Sequence, residues 1–396
     1  MNKPGNIFPL KPGKTRGHSK QRRAGRYQHR SITFVEFPAQ YEAERSEIHR
    51  IVEEVFSRGH FVDGAPITLL EEEIAKICGS RHGVAVASGT DALVLSLKVL
   101  NIGAGDEVIL PPNSFVASAG AVVSAGATPV FADVQADMNI CPDAVEAAIT
   151  ERTKAIMPVH LTGRICDMER LNEVAVRHNL VIVEDAAQSI GSTYRGRASG
   201  SFGAVNALSM HPLKNLNAAG DAGFITTDQS ELAARLRRLR NHGLADRNTI
   251  AFWGINSRMD TLQAAILRSR LGQLEEIIDR RRKNAELYRS LLNREFVEFT
   301  PCRDYEFNTF HLFVIEVDRR NALMEHLTKR GIETKIHYPV PIHLQPAAAL
   351  LNYGPGSLPV AERQAKRILS LPIHQFLTEE DIVYVAETIN GFYDNS

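Results

Sequence analysis

Short apolar runs alternate with amphipathic stretches along the chain from residue 41 to residue 227. Runs such as "LVIVEDA" are rich in Val and Ile, which is typical of short buried strands. They predict strands at 83–88, 106–111, 128–134, 154–160, 180–186, 202–210 and 222–227. The stretches before and between them predict helices at 41–59, 67–79, 90–100, 114–126 and 167–179. This alternation predicts an α/β fold with a mainly parallel, seven-stranded sheet.

The pattern changes near residue 256, where a long helical pattern covers 258–292. A strand at 307–317 follows, and then come helices at 320–331 and 377–389, which together predict a smaller α+β unit. The predicted organisation is therefore a tail at 1–34, a large domain at 35–285 and a small C-terminal domain at 286–396.

Charge is balanced overall but unevenly placed. The chain has 46 Lys and Arg against 46 Asp and Glu, which argues against a protein that mainly binds nucleic acid. Residues 1–35 nevertheless hold nine Lys or Arg and no acidic residue. Because this segment lacks apolar periodicity, it is expected to be a disordered, solvated tail. A basic arm that binds nucleic acid or a membrane, or a transit peptide, is the alternative.

Membrane and metal partners are not expected from the sequence. No apolar run is long enough to span a membrane, and none follows the basic start as in a secretory signal. The cysteines form no CxxC pair and no metal-binding spacing, which is typical of a reduced cytoplasmic protein. They lie at Cys78, Cys141, Cys166 and Cys302.

Ligands of such sheets bind beyond the carboxyl ends of the strands, so the residues there are the candidates for a site. Ser88–Thr90 join a strand to a helix and could bind an anion, or simply cap the helix. Phe115 could stack on a planar ligand or belong to the core. Asp185 ends a buried strand and needs a cationic or hydrogen-bond-donating partner, so it could bind a ligand, cap a helix or form a structural ion pair. Lys214 lies alone in a glycine-rich loop and could be reactive or merely solvated.

These features together fit one ligand, pyridoxal phosphate. A phosphate would bind the 88–90 turn, the ring would stack on Phe115, and Asp185 would keep the ring nitrogen protonated. Lys214 would supply the amine that forms a Schiff base with the cofactor, because small and apolar neighbours favour a neutral lysine. The combination predicts a pyridoxal phosphate enzyme more strongly than any single residue does.

The chain resembles the sugar aminotransferases of the DegT/DnrJ/StrS family, which are fold-type I pyridoxal phosphate enzymes. The resemblance is carried by "SGTDAL", "EDAAQSIG", "HPLKNLNAAGDAGFITT" and "GINSRMDTLQAAIL", in this order, and it runs from about residue 36 to the end. It implies that Lys214 is the Schiff-base lysine and Asp185 the pyridinium partner. Some family members carry histidine in place of this lysine and are dehydratases, so Lys214 favours amino transfer.

The resemblance also implies the remaining cofactor contacts. Gly89, Thr90 and Ser209 resemble the phosphate ligands, and Gln188 resembles the side chain near the ring hydroxyl. Asn256 resembles a residue that reaches the phosphate from the other subunit. A homodimer with shared active sites is therefore expected.

The sugar site is implied less directly. His337, Tyr338 and His343 fall where the family lines its substrate pocket. The expected reaction is transamination of a keto sugar, a nucleotide-linked 3- or 4-keto-6-deoxyhexose, with L-glutamate as donor, in amino-sugar biosynthesis for a surface polysaccharide or an antibiotic. Amination of a cyclitol ketone is one alternative. A non-catalytic regulator with a basic nucleic-acid-binding arm is the other.

Overall fold

The computed structural model describes residues 30–394. Its helices are α1 (Phe37–Arg58), α2 (Ala65–Cys78), α3 (Gly89–Val99), α4 (Ala117–Ala125), α5 (Pro142–Ala147), α6 (Met168–Arg177), α7 (Ser230–Leu239), α8 (Thr261–Leu271), α9 (Leu274–Leu291), α10 (Arg320–Lys329), α11 (Pro359–Arg367) and α12 (Glu379–Asp394). Short 3-10 turns lie at Leu161–Gly163, Ile342–Leu344 and Pro346–Leu351. No helix among these residues is long and apolar enough to cross a membrane.

A seven-stranded sheet forms the centre of the large domain and has the order β1-β9-β8-β5-β4-β2-β3. Only β9 runs antiparallel to its neighbours, so the predicted mainly parallel, seven-stranded sheet is confirmed. The strands of the protein are β1 (His82–Val86), β2 (Glu107–Leu110), β3 (Thr128–Phe131), β4 (Thr153–Ile156), β5 (Val181–Asp185), β6 (Thr193–Tyr194), β7 (Arg197–Ala198), β8 (Val205–Ser209), β9 (Gly223–Thr227), β10 (Val297–Glu298), β11 (Glu306–Phe307), β12 (Phe313–Val317) and β13 (Ile368–Leu371).

The sheet is buried on both faces, which explains why its strands are continuously apolar. The side chains of β2 are buried along the whole strand, and α3 packs over the sheet against β8 and β9. The strands β1, β5 and β8 end at the same edge, and β9 begins there opposite Ser209. This edge therefore collects the residues that follow three strands.

The small domain is built on a second core. Its sheet has the order β10-β12-β13 and packs against α9, α10 and α12. The N-terminal segment joins this core: Ile32 is 3% exposed, and its backbone N–H donates to the Gly331 carbonyl at 2.8 Å. Arg30 also pairs with Asp381 at 2.7 Å. Residues 30–34 thus pack on the small domain, whereas the sequence assigned them to the tail; the rest of the predicted tail lies outside the described residues.

The long helical pattern at 258–292 is two helices rather than one, because the chain breaks at Gly272 between α8 and α9. Helix α9 serves both domains. Ile278 belongs to a core of the large domain, whereas Ala285 and Tyr288 belong to the core of the small domain. The predicted domain boundary at 285/286 therefore falls inside a continuous helix.

The predicted strand at 307–317 is also shorter than expected. The regular strand β12 begins only at Phe313, and residues 308–312 run irregularly across the large domain. Thr309 is fully buried there, and its hydroxyl lies 2.9 Å from that of Ser192. These polar contacts hold the segment away from the sheet of the small domain. The apolar pattern at 307–317 predicted one continuous strand and gave no sign of this irregular part.

Candidate active site

Asp185 ends β5 with its carboxylate buried and only partly satisfied. The residue is 4% exposed, the Ser118 hydroxyl donates to Oδ2 at 2.6 Å, and the Ala187 backbone N–H donates to Oδ1 at 3.2 Å. No salt bridge to Asp185 forms within residues 30–394. A buried carboxylate with spare acceptor capacity fits a cationic partner from a ligand, such as a protonated ring nitrogen.

Lys214 lies in the loop that connects β8 to β9, at the same edge of the sheet. Its backbone N–H donates to the His211 carbonyl at 2.8 Å, which closes a turn around it. Burial lowers the pKa of the Lys214 amine from 10.5 to about 8, and the charge of Asp185 opposes this shift. The loop therefore holds an amine that loses its proton far more readily than a solvated lysine.

A network of buried polar side chains from α1 and α8 holds this loop in place. Arg270 donates to the Asn217 carbonyl at 2.7 Å and to Glu44 at 2.7 Å. The Gln40 amide joins the same network by donating to the side-chain oxygen of Asn217 at 3.0 Å. These bonds tie the loop to α1 and α8, so the position of Lys214 does not depend on the loop alone.

The predicted phosphate site comes together where α3 begins beside the end of β8. Ser88 caps α3 by accepting the backbone N–H of Asp91 at 3.1 Å. A Cβ atom on Gly89 would lie 2.6 Å from Cβ of Ser209, so only glycine allows this approach. Thr90 is exposed on the first turn of α3. The free N–H groups of a helix N-terminus, with hydroxyls beside them, are suited to a phosphate.

A further glycine permits the same junction. Gly223 lies opposite Ser209 in the sheet, and a Cβ atom built on it would lie 2.3 Å from the Ser88 carbonyl oxygen. Any side chain at residue 223 would therefore push the start of α3 away from β8.

Tyr338 lies among the residues predicted to contact the cofactor ring. Its ring centroid is 6.0 Å from that of Phe115, which is 56% exposed and so free to stack on a ligand. Burial, with the charge of Asp185 added, raises the pKa of the Tyr338 hydroxyl above its usual value, so this hydroxyl stays protonated. Gln188 is buried nearby and accepts the Thr162 backbone N–H at 2.7 Å.

The other predicted substrate residues separate in the structure. His337 lines a cleft with Lys214, and its Nδ1 lies 2.8 Å from the Ser370 hydroxyl. His343 is instead buried elsewhere: its Nε2 lies 3.1 Å from the Glu362 carboxylate, and its ring lies beside Phe131. The structure thus brings His337 and Tyr338 to the site, and it places the His343 side chain against Glu362.

Asn256 is exposed on the chain surface, and its side-chain oxygen accepts a hydrogen bond from Arg258 at 3.2 Å. It pairs with Asn241 in an isolated bridge, on a segment separate from the Lys214 loop. A role at the phosphate of another subunit stays a prediction for this residue.

Two site residues were missed by the sequence analysis, His311 and Arg281, which both line the cleft beside Lys214. His311 lies in the irregular segment before β12, where the apolar pattern predicted a strand. Arg281 is in a run of three arginines, a pattern typical of a solvated helix face. Its burial follows from the position of α9 between two cores, for which the sequence carries no local signal.

The residues present fit pyridoxal phosphate. Gly89, Thr90 and Ser209 would hold the phosphate, Asp185 would pair with the ring nitrogen, and Lys214 would hold the aldehyde carbon. The fit rests on the approach of Gly89 to Ser209 and on the spare acceptor capacity of Asp185.

Comparison with known proteins supports this assignment. The model of the DegT/DnrJ/EryC1/StrS aminotransferase family matches residues 42–390. A dTDP-3-amino-3,4,6-trideoxy-alpha-D-glucose transaminase from Streptomyces venezuelae is 42% identical over 360 residues, 90% of this chain and 95% of that protein. A protein named pleiotropic regulatory protein, from Geobacillus stearothermophilus, is 41% identical over 92% of this chain and 99% of its own length.

Solved structures agree. Streptomyces venezuelae DesV, crystallised in complex with a ketimine intermediate, has a TM-score of 0.89 and 42% identity, and the match covers 91% of this chain and 98% of that one. A putative sugar aminotransferase from Streptococcus pneumoniae, solved in its PLP form, has a TM-score of 0.83 and 28% identity over 88% of this chain and 96% of that one. The chain therefore belongs to the DegT/DnrJ/EryC1/StrS aminotransferase family and is a pyridoxal-phosphate-dependent aminotransferase of fold-type I.

Proposed function

We propose that this protein transfers the amino group of L-glutamate to the keto carbon of a nucleotide-linked sugar, a 3- or 4-keto-6-deoxyhexose, in amino-sugar biosynthesis. The observation that carries the proposal is the placement of Lys214 at the edge of the sheet where the Asp185 carboxylate is buried. Burial there lowers the pKa of the Lys214 amine to about 8, and the charge of Asp185 acts on the same amine. Relatives named as transaminases of dTDP- and UDP-linked sugars support the class of acceptor.

Bound pyridoxal phosphate supplies an electron sink for a carbanion at the carbon next to the amino nitrogen. Asp185 would hold the ring nitrogen protonated, because its buried carboxylate is stabilised by a positive charge beside it. The neutral Lys214 amine would act as the general base that takes the proton from the α-carbon of the donor. In the second half-reaction its protonated form would act as the general acid that delivers a proton to the carbon that carried the keto oxygen.

A homodimer with shared sites is part of the proposal, as is a cytoplasmic location. The segment that carries Asn256 also exposes large apolar side chains: Trp253 is 88% exposed and Ile250 is 55% exposed in the single chain. Exposed apolar groups of this size are typical of surfaces that another chain covers. A second copy that packs on this segment would bury them and bring Asn256 to the partner's phosphate.

The test is the visible absorbance of the purified protein with pyridoxal phosphate, recorded before and after addition of L-glutamate, with molar mass measured on the same sample. We expect the absorbance of the bound aldehyde form to disappear with glutamate as the pyridoxamine form accumulates. Lys214→Ala should abolish this response. Lys98→Ala, which removes an exposed lysine on α3, is the matched control and should respond as the wild type does.

The acceptor is then tested by offering the pyridoxamine form a nucleotide-linked keto sugar or a cyclitol ketone. Return of the visible absorbance with the sugar alone supports the proposal. Return with the cyclitol alone would mean that the acceptor is a cyclitol ketone and that the proposed sugar acceptor is wrong. A wild-type protein that takes up no cofactor would contradict amino transfer and favour the regulator.

A further inference from the structure

A cleft opens beside Lys214 on the side that faces the small domain. We call it the Lys214 cleft. It is lined by the N-terminal segment 34–37, by the Lys214 loop, by α9 and by the segments that precede β12 and follow β13. Its titratable side chains are Glu36, Lys214, Arg281, His311, His337 and His374.

Arg281 is a buried cation that has no anionic partner among residues 30–394. Its side chain is on α9, the residue is 8% exposed, and Nη1 donates to the carbonyls of Phe310 and His311, both at 3.2 Å. Nε is buried and makes no hydrogen bond, and none of the salt bridges within residues 30–394 includes Arg281. Burial lowers the pKa of the guanidinium to about 10, which still leaves it charged at neutral pH. A buried charge of this kind is costly until a counter-ion arrives.

A second polar atom of the cleft is also unsatisfied. Nδ1 of His311 is buried and has no hydrogen-bond partner among the described residues. Burial and the charges of Lys214 and Arg281 hold the pKa of His311 well below its usual value, so the ring is neutral. A neutral imidazole can donate one hydrogen bond to an anion without adding charge.

The charge balance of the cleft favours an anion. Lys214 and Arg281 are its cations, and Glu36 is the only acidic residue among the described residues that line it. The Glu36 carboxylate is already bound by the Thr33 hydroxyl at 2.7 Å. His337 and His374 both have a pKa lowered to about 4, mainly by burial, so neither adds a charge at neutral pH.

We propose that Arg281, with His311 beside it, binds a carboxylate of the amino donor in the Lys214 cleft. A guanidinium donates to a carboxylate in charge-assisted, fork-like geometry, which would satisfy the buried Nε. This inference rests on the proposed function, because the donor is taken to be an amino acid.

The diphosphate of a nucleotide sugar is the other anion that such a site could bind, and it fits less well. In an amino acid the α-carboxylate is bonded directly to the carbon that Lys214 deprotonates, so it must lie close to the lysine. The diphosphate is separated from the keto carbon by atoms of the sugar ring. Arg281 and Lys214 line the same cleft, and the charges of both lower the pKa of His311 between them in the lining, so the donor is the better occupant.

The first test is calorimetric titration of the cofactor-loaded protein with glutarate, a dicarboxylate that lacks the amine and cannot react. Arg281→Gln should weaken glutarate binding by roughly ten- to a hundredfold, the effect of losing hydrogen bonds to a charged group. Arg280→Gln removes the same charge from the exposed neighbouring position on α9 and should bind as the wild type does. Equal affinities in the three proteins would overturn the proposal.

Thymidine and uridine diphosphates are titrated into the same proteins. We expect their affinities to be the same in Arg281→Gln and Arg280→Gln. If the nucleotide affinity falls and the glutarate affinity does not, Arg281 binds the acceptor and the proposal is wrong.

The second test follows the visible absorbance as L-glutamate is added. Arg281→Gln should raise the glutamate concentration for half-maximal rate by roughly ten- to a hundredfold, for the same reason. Arg281→Lys keeps the positive charge but cannot make the fork-like pair of hydrogen bonds. Its glutamate concentration for half-maximal rate should therefore lie between those of the wild type and Arg281→Gln. The lysine variant replaces the glutamine variant in this test if the latter unfolds. A wild type without any response to glutamate refutes the proposed function, whereas a normal wild type with unaltered Arg281 variants refutes only this inference.

Discussion

The two faces of β5 show how one strand provides both a structural and a chemical carboxylate. Glu184 and Asp185 are adjacent, both are buried, and alternation along the strand sends them to opposite sides of the sheet. The Glu184 carboxylate is saturated: it accepts from Nε2 of His160 at 2.8 Å and from three backbone N–H groups, at Gly200, Phe202 and Gly203. Within the described part of the chain, the Asp185 carboxylate accepts only from Ser118 and Ala187.

This difference indicates what each acid does. The His160 ring accepts the Cys166 backbone N–H at Nδ1, so Nε2 carries the hydrogen that Glu184 receives, and nothing remains for a ligand. Asp185 has acceptor capacity left over and acts on the pKa of Lys214 and Tyr338. Burial alone therefore does not identify a functional acid, whereas burial with an incomplete set of donors does.

The largest effect is expected from Asp185→Asn. The amide cannot carry the negative charge that keeps the cofactor ring nitrogen protonated, so the rate with L-glutamate should fall by about 10²–10³-fold, as for loss of an electrostatic stabiliser. Stopped-flow absorbance on the cofactor-loaded protein measures this rate. The free energy of unfolding of the cofactor-free protein should not fall, because the asparagine oxygen still accepts from Ser118. A rate equal to that of the wild type would contradict the role given to Asp185.

Glu184→Gln should produce the opposite pattern. The glutamine amide nitrogen would face backbone N–H groups that now donate to a carboxylate, so the free energy of unfolding should fall by about 1–3 kcal/mol. Urea unfolding of the cofactor-free protein measures it. The glutamate rate of the folded variant should match the wild type. Loss of rate without loss of stability would show that the two faces of β5 are not divided as described.

The sequence predicted the strand-end side of the site and not the side formed by the small domain. Asp185 ends a buried strand and Gly89 follows another, so a local pattern places them at the same edge of a parallel sheet. Arg281 and His311 reach the site only because α9 is shared by two cores and because the segment before β12 is held by Ser192. Ile32 was likewise assigned to the tail, because one isolated apolar residue forms no periodic pattern that would predict a helix or a strand.

The smallest expected effect concerns the protonation of Lys214. The neutral amine attacks the cofactor, so the rate at which cofactor-free protein takes up pyridoxal phosphate should rise with pH, with a midpoint at about 8 instead of 10.5. Visible absorbance against pH measures this midpoint. Because the charge of Asp185 raises the pKa of the amine, Asp185→Asn should lower the midpoint.

Glu184→Gln is the control for that shift. Its charge is not among the causes of the lowered pKa of Lys214, so removing it should leave the midpoint where it is in the wild type. A midpoint near 10.5 in the wild type would mean that the Lys214 amine is solvated and that burial does not lower its pKa. Equal shifts in both variants would mean that either acid reaches the amine, and the contrast between the two faces of β5 would then be one of hydrogen bonding alone.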